Sequence, residues 1–114
     1  MKKIYIFSIL MLLLASCGSV NKKMQRGDYD GVINKSVKKL IKNPDKTDYA
    51  IALDKAYRLA NERDLERIKF LKMENNESNY DEIFRRYESL KYRQSKVRPV
   101  LPLIINGRTI TYEY

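Results

Sequence analysis

Residues 27–60 read GDYDGVINKSVKKLIKNPDKTDYAIALDKAYRLA, and the spacing of their apolar side chains decides the fold class. Val32, Ile33, Val37, Leu40 and Ile41 recur with the 3.6-residue period of one helical stripe. Asn43-Pro44 ends that segment, because proline disfavours helical backbone in the residue before it. Beyond the break, Thr47 stands at an N-cap position. Tyr49, Leu53, Ala56, Tyr57 and Ala60 then follow at spacings of 4, 3, 1 and 3.

The same period continues toward the C-terminus. Leu65, Ile68 and Leu71 predict a third helix, and Asn75-Asn76 a polar break after it. Ser78 with Asp81 has the spacing of a capping box, ahead of a stripe formed by Tyr80, Ile83, Phe84, Tyr87 and Leu90. Asp81 to Arg85 and Glu82 to Arg86 add ion pairs in the favourable i,i+4 order. Four helices with short links imply antiparallel neighbours. Val97 to Pro102 holds two prolines and breaks the pattern. Leu103-Ile104-Ile105, Asn106-Gly107 and Arg108-Thr109-Ile110-Thr111-Tyr112 then predict a β-hairpin, since Asn-Gly supplies the positive φ pair of a type I′ turn. That hairpin either packs on the helices, pairs with a partner's strand edge, or opens a longer domain. The fold class expected is mainly α, built of short antiparallel helical hairpins with a C-terminal β-hairpin.

Gly27-Asp28-Tyr29-Asp30, Val32-Ile33, Leu40 and Asn43-Pro44 resemble the second half of a tetratricopeptide repeat, where a Gly-Asp-Tyr turn joins helix A to helix B. Arg63-Asp64-Leu65-Glu66 with Ile68 resembles the same turn 36 residues later, departing from it at Arg63 and Leu65. The resemblance covers residues 24–74 and implies tetratricopeptide-like stacking; an unrelated small helical bundle is the alternative.

The chain has 114 residues, 23 Lys+Arg against 14 Asp+Glu, a formal net charge of +9, one cysteine and no histidine. One cysteine excludes an intramolecular disulfide, and the lack of histidine removes the commonest general base and metal ligand. Lys2 and Lys3 precede an apolar run from Ile4 to Leu14, followed by small residues, which is the plan of a secretory signal. The run is short of the roughly 20 residues that span a bilayer. Leu14-Ala15-Ser16-Cys17 resembles the lipobox of bacterial lipoproteins. The resemblance implies recognition of Leu14, Ala15 and Ser16 by the signal peptidase, lipid transfer to the Cys17 thiol, cleavage before it, and acylation of the new amino terminus. An ordinary cleaved signal is the alternative; the agreement of charge, length, small residues and the sole cysteine favours the lipobox. Gly18, where aspartate would resemble an inner-membrane retention signal, and the lack of an acidic cluster point to the outer membrane, facing the periplasm.

Losing Lys2 and Lys3 leaves +7, divided as +5 over 18–46, −3 over 47–84 and +5 over 85–114. The expected organisation is a signal peptide at 1–16, a lipidated cysteine and tether at 17–26, a helical domain at 27–96 and a hairpin segment at 97–114. The whole arrangement resembles longer lipoproteins of Bacteroidetes-type bacteria that continue past the hairpin, which implies a shortened chain here.

Lys35, Lys38, Lys39 and Lys42 lie opposite the apolar stripe of the first helix and form either an anionic-surface contact or an ordinary solvated face. Tyr49, Tyr57, Tyr80, Tyr87 and Tyr92 are candidates for a peptide groove; the helical stripes place at least the first four in the core instead. Glu62, Asp64 and Glu66 make a poor metal site, since their spacing turns Asp64 away and Arg63 and Arg67 are at hand to neutralise them. No cofactor, metal, catalytic residue or nucleic-acid partner is expected. The expected role is a non-catalytic envelope module that binds a protein partner or self-associates. The alternative is a structural element whose basic segments contact membrane or peptidoglycan.

Overall fold

The computed structural model describes residues 19–112. The fold is mainly α, with antiparallel helical hairpins and a C-terminal β-hairpin. Residues 19–25 are helical (α1), followed by α2 (Tyr29–Lys42), α3 (Thr47–Met73) and α4 (Tyr80–Val97), with β1 (Leu103–Ile105) and β2 (Arg108–Ile110) closing the order.

The Gly27-Asp28-Tyr29 turn joins α1 to α2. Gly27 takes φ +75°, its N–H bonds to Met24 O at 3.1 Å, and the Asp28 N–H bonds to Lys23 O at 2.9 Å. That pair of bonds satisfies the last carbonyls of α1. Asp28 then caps α2 by accepting the Gly31 N–H at 3.1 Å. The stretch expected to be a tether is therefore helical from 19 to 25, and Val20 is buried in the core. Val20 and Met24, four residues apart, both pack on the core, and that i,i+4 pair was the helical signal in the sequence.

Val32, Ile33, Val37 and Leu40 of α2 face Ala50, Leu53, Ala56 and Tyr57 of α3, and Val97 and Leu103 complete this core. Ser36 takes the buried place on the stripe that Ile41 was expected to take, and Ile41 is 59% exposed. Asn43 caps α2 in extended backbone as Pro44 demands. Thr47 is the first residue of α3 rather than its cap; Lys46 occupies the cap position without a side-chain bond.

The largest correction concerns Arg63-Asp64-Leu65-Glu66. No turn forms there: α3 runs unbroken for 27 residues. The segment has no glycine or proline to end a helix, and Asp64, placed as a turn residue by the repeat resemblance, is instead buried and held by arginines of α4. Asn75 at φ +50° reverses the chain after α3. The cap expected at Ser78 belongs to Asn76, whose side chain accepts the Ser78 N–H at 3.0 Å and opens a short 3-10 turn (Glu77–Asn79) before α4.

After α4, a 3-10 turn (Arg98–Val100) and a cis Leu101–Pro102 bond lead into the hairpin. Asn106 at φ +51° and Gly107 at φ +77° form its turn, pairing Leu103 with Ile110, Ile104 with Thr109 and Ile105 with Arg108. The hairpin packs on the helices. Leu103 is buried, the Tyr112 ring stacks on Tyr57 at 4.1 Å between centroids, and its hydroxyl donates to Asp54 at 2.6 Å.

Candidate interaction surface

Two features stand out on α4, one turned inward and one outward. Inward, Arg93 is buried, with its side chain 3% exposed. It donates through Nε to Asp30 Oδ1 at 2.7 Å, through one terminal nitrogen to Asn61 Oδ1 at 2.7 Å, and through the other to Asp64 Oδ2. Arg86 donates to the second oxygen of Asp64 at 2.7 Å. Burial alone would lower the pKa of Arg93; the bonds and charges of Asp64 and Asp30 outweigh it and raise the pKa above the ordinary arginine value. The guanidinium stays charged and gathers α2, α3 and α4 around one point. Asp64 thus turns away from Glu62 and Glu66 as expected, but its partners are Arg86 and Arg93 rather than Arg63 and Arg67. Arg67 pairs with Glu82 at 3.2 Å, and Arg63 donates to Gly27 O at 3.1 Å.

Outward, Tyr80, Phe84 and Tyr87 lie at i, i+4 and i+7 on α4 and are 61%, 66% and 43% exposed. The expectation that Tyr80 and Tyr87 belong to the core is corrected. The inner face of α4 is carried by Leu90, Arg93 and Val97, and the aromatic row flanks it. Tyr49 is half-buried and Tyr57 fully buried, as their stripe implies, while Tyr92 is exposed. Phe70 and Met73 at the end of α3 are also exposed, so exposed apolar side chains flank the polar α3–α4 turn. Lys72 donates to the Tyr87 hydroxyl at 2.8 Å and sits 5.2 Å from the ring centroid, which orients that tyrosine.

The lysines of α2 divide. Lys38, Lys39 and Lys42 are exposed, and Lys35 is half-buried with its ammonium on Ser19 Oγ, tying α1 to α2. Cys17 and the Leu14, Ala15 and Ser16 that precede it lie outside the described residues. Phe70, Met73 and Phe84 were missed as surface residues, although a second apolar row on α4, offset from Ile83 and Leu90, was a signal in the sequence. Arg93 carried no such signal. Among the described residues no group of His, Cys, Asp and Glu has the geometry of a metal site, and no helix is long and apolar enough to cross a membrane.

With that geometry in place, comparison with known proteins finds no match to any protein family, curated protein or solved structure.

Proposed function

We propose that this chain is a lipid-anchored envelope lipoprotein, non-catalytic, whose α3–α4 end binds a protein partner at the outer membrane. The observation that carries the reading is the exposed row Tyr80, Phe84 and Tyr87 on α4, with Phe70 and Met73 exposed at the end of α3. A row of aromatics costs solubility unless a partner covers it, and aromatic side chains with few rotamers are favoured in interface centres. The sequence Leu14-Ala15-Ser16-Cys17 supports the anchor. More than one acyl chain makes such attachment stable where a single chain is marginal. Confinement to a surface raises the effective concentration of a weak binding site around other envelope proteins. Among the described residues, the buried charged cluster of Arg93 with Asp30, Asn61, Asp64 and Arg86 is held by hydrogen bonds between α2, α3 and α4 and so reads as structural.

Two measurements test it. Metabolic labelling with an alkyne fatty acid should mark the wild type and leave Cys17→Ala unmarked; equal labelling of both removes the anchor. A photo-crosslinking residue at Phe84 should give a discrete adduct in intact cells, and one at exposed Lys55 should not. Identical patterns from both positions would refute the α3–α4 end as the binding surface.

A further inference from the structure

The end of the molecule opposite the aromatic row has a different chemistry. There the α2–α3 link brings exposed Lys38, Lys39 and Lys42 beside exposed Ile41. A cavity of about 760 Å³ opens at this end between that link and the segment before the hairpin, lined by Ile41, Pro44, Leu101, Pro102 and Ile104 among others. Ile104 on its rim is 65% exposed. From Gly31 to Asn61 the chain has no glutamate, and its acidic residues are Asp45, Asp48 and Asp54. Asp54 is engaged by Arg58 and Tyr112, which leaves Asp45 and Asp48 as the other acidic residues of that stretch.

The direction of α1 gives this end its neighbour. Lys35 holds Ser19, and α2 continues seven residues past that contact, a rise of roughly 10 Å, to reach Lys42. Val20 lies against Asp48, Tyr49 and Ala52 at the start of α3, so α1 enters the fold at the same end. Cys17 precedes Ser19 by two residues, which keeps its Cα within roughly 7 Å of that of Ser19. A lipid on Cys17 would therefore enter the bilayer beside the lysines and Ile41, on the side away from Phe84.

We infer that the α2–α3 end is a docking face for an anionic phospholipid bilayer, with Lys38, Lys39 and Lys42 on the headgroups and Ile41 entering the interface. The inference rests on the Cys17 anchor proposed above for its membrane, and on charge complementarity for its contact. Lysines near an anionic surface are each attracted by an amount that falls off within a Debye length, so the contact is sensitive to salt. Docking at this end points α3 away from the bilayer. Its 27 residues, about 40 Å of helix, carry the aromatic row clear of the headgroups.

The chain contains no tryptophan, so a single introduced one reports its own surroundings. The mature protein purified from membranes, carrying Ile41→Trp or Phe84→Trp, is placed in vesicles of phosphatidylcholine with or without phosphatidylglycerol, with brominated acyl chains as quencher. Ile41→Trp should shift to the blue and be quenched in the vesicles containing phosphatidylglycerol. The shift should be lost in high salt and in the combined Lys38→Gln, Lys39→Gln, Lys42→Gln chain, while Phe84→Trp stays unquenched throughout. Equal quenching at both positions, or an Ile41→Trp signal indifferent to phosphatidylglycerol, would overturn the docking face. The intact mass of the same preparation reads the anchor separately. An unacylated mass with a shifted Ile41→Trp removes the anchor and keeps the face; an acylated mass with no shift does the reverse.

Discussion

The two halves of α3 carry apolar side chains at helical spacing, and they meet different surroundings. From Ala50 to Ala60 the helix is enclosed by α2, the hairpin and the end of α4, and Leu53, Ala56 and Ala60 have no exposed surface. From Leu65 to Met73 it meets α4 and the 3-10 turn before α4, and Ile68 and Leu71 are covered while Leu65, Phe70 and Met73 are not. What differs is the number of neighbours. One helix is enclosed core at one end and a half-exposed flank at the other, and its alanines fall in the enclosed half where α2 packs closely.

The junction between the halves is the place where this contrast breaks most readily. Arg93→Ala would take the Arg93 donor from Asp30, Asn61 and one oxygen of buried Asp64, leaving Asp64 with Arg86 alone, and such a loss costs on the order of 3–5 kcal/mol. Urea unfolding should show it as a large fall in midpoint, and a fall of under about 1 kcal/mol would mean that the cluster adds nothing. A matched pair on the two halves comes next. Leu53→Ala in the enclosed half should cost about 2–5 kcal/mol by cavity formation, and Phe84→Ala on α4, which packs on the open half, should stay within about 0.5 kcal/mol. Equal costs would show that the aromatic row is part of the core after all.

A smaller effect is expected where the hairpin meets α3. Tyr112→Phe should cost about 1 kcal/mol for the bond to Asp54. Burial first, and the Asp54 hydrogen bond second, push the Tyr112 phenol well above its ordinary pKa. A folded-state pKa above the unfolded one favours folding fully below the unfolded value of about 10, and that contribution fades as pH rises beyond it. Thermal melts above that pH should fall more steeply for wild type than for Tyr112→Phe. Last, Ser36 is completely buried and its hydroxyl makes no hydrogen bond. Ser36→Ala should therefore raise stability by roughly 0.5–1 kcal/mol, read from the same urea titration.

Features set by a few adjacent residues were legible in the sequence. Asn43-Pro44 bounded α2, Gly27-Asp28 marked the turn before it, and Asn106-Gly107 fixed the hairpin register. Features set by distant residues were not. Arg93 reads as one more basic residue near a helix end, because its partners Asp30, Asn61 and Asp64 are 63, 32 and 29 positions away. On α4 the periodicity gives two neighbouring rows, Ile83-Leu90-Val97 and Tyr80-Phe84-Tyr87, and does not say which one has a helix against it. For α3, resemblance at Arg63-Asp64 suggested a turn, while the absence of glycine and proline already allowed the helix to pass through. The lysines of α2 were placed on one face by spacing alone; that Lys35 reaches Ser19 of α1 required the turn from α1 into α2.

Unbroken by glycine or proline from Thr47 to Met73, α3 has no built-in hinge, which gives the molecule a mechanical character. A load applied at the Phe84 end is carried along one ladder of backbone hydrogen bonds. It reaches the enclosed half as a displacement of a stiff strut, with little absorbed by bending. Arg93 couples that strut to α2 by a charged hydrogen bond to Asp30, and Lys35 couples α2 to α1. The load path thus runs from the aromatic end through α3 and α2 to Ser19 at the start of α1.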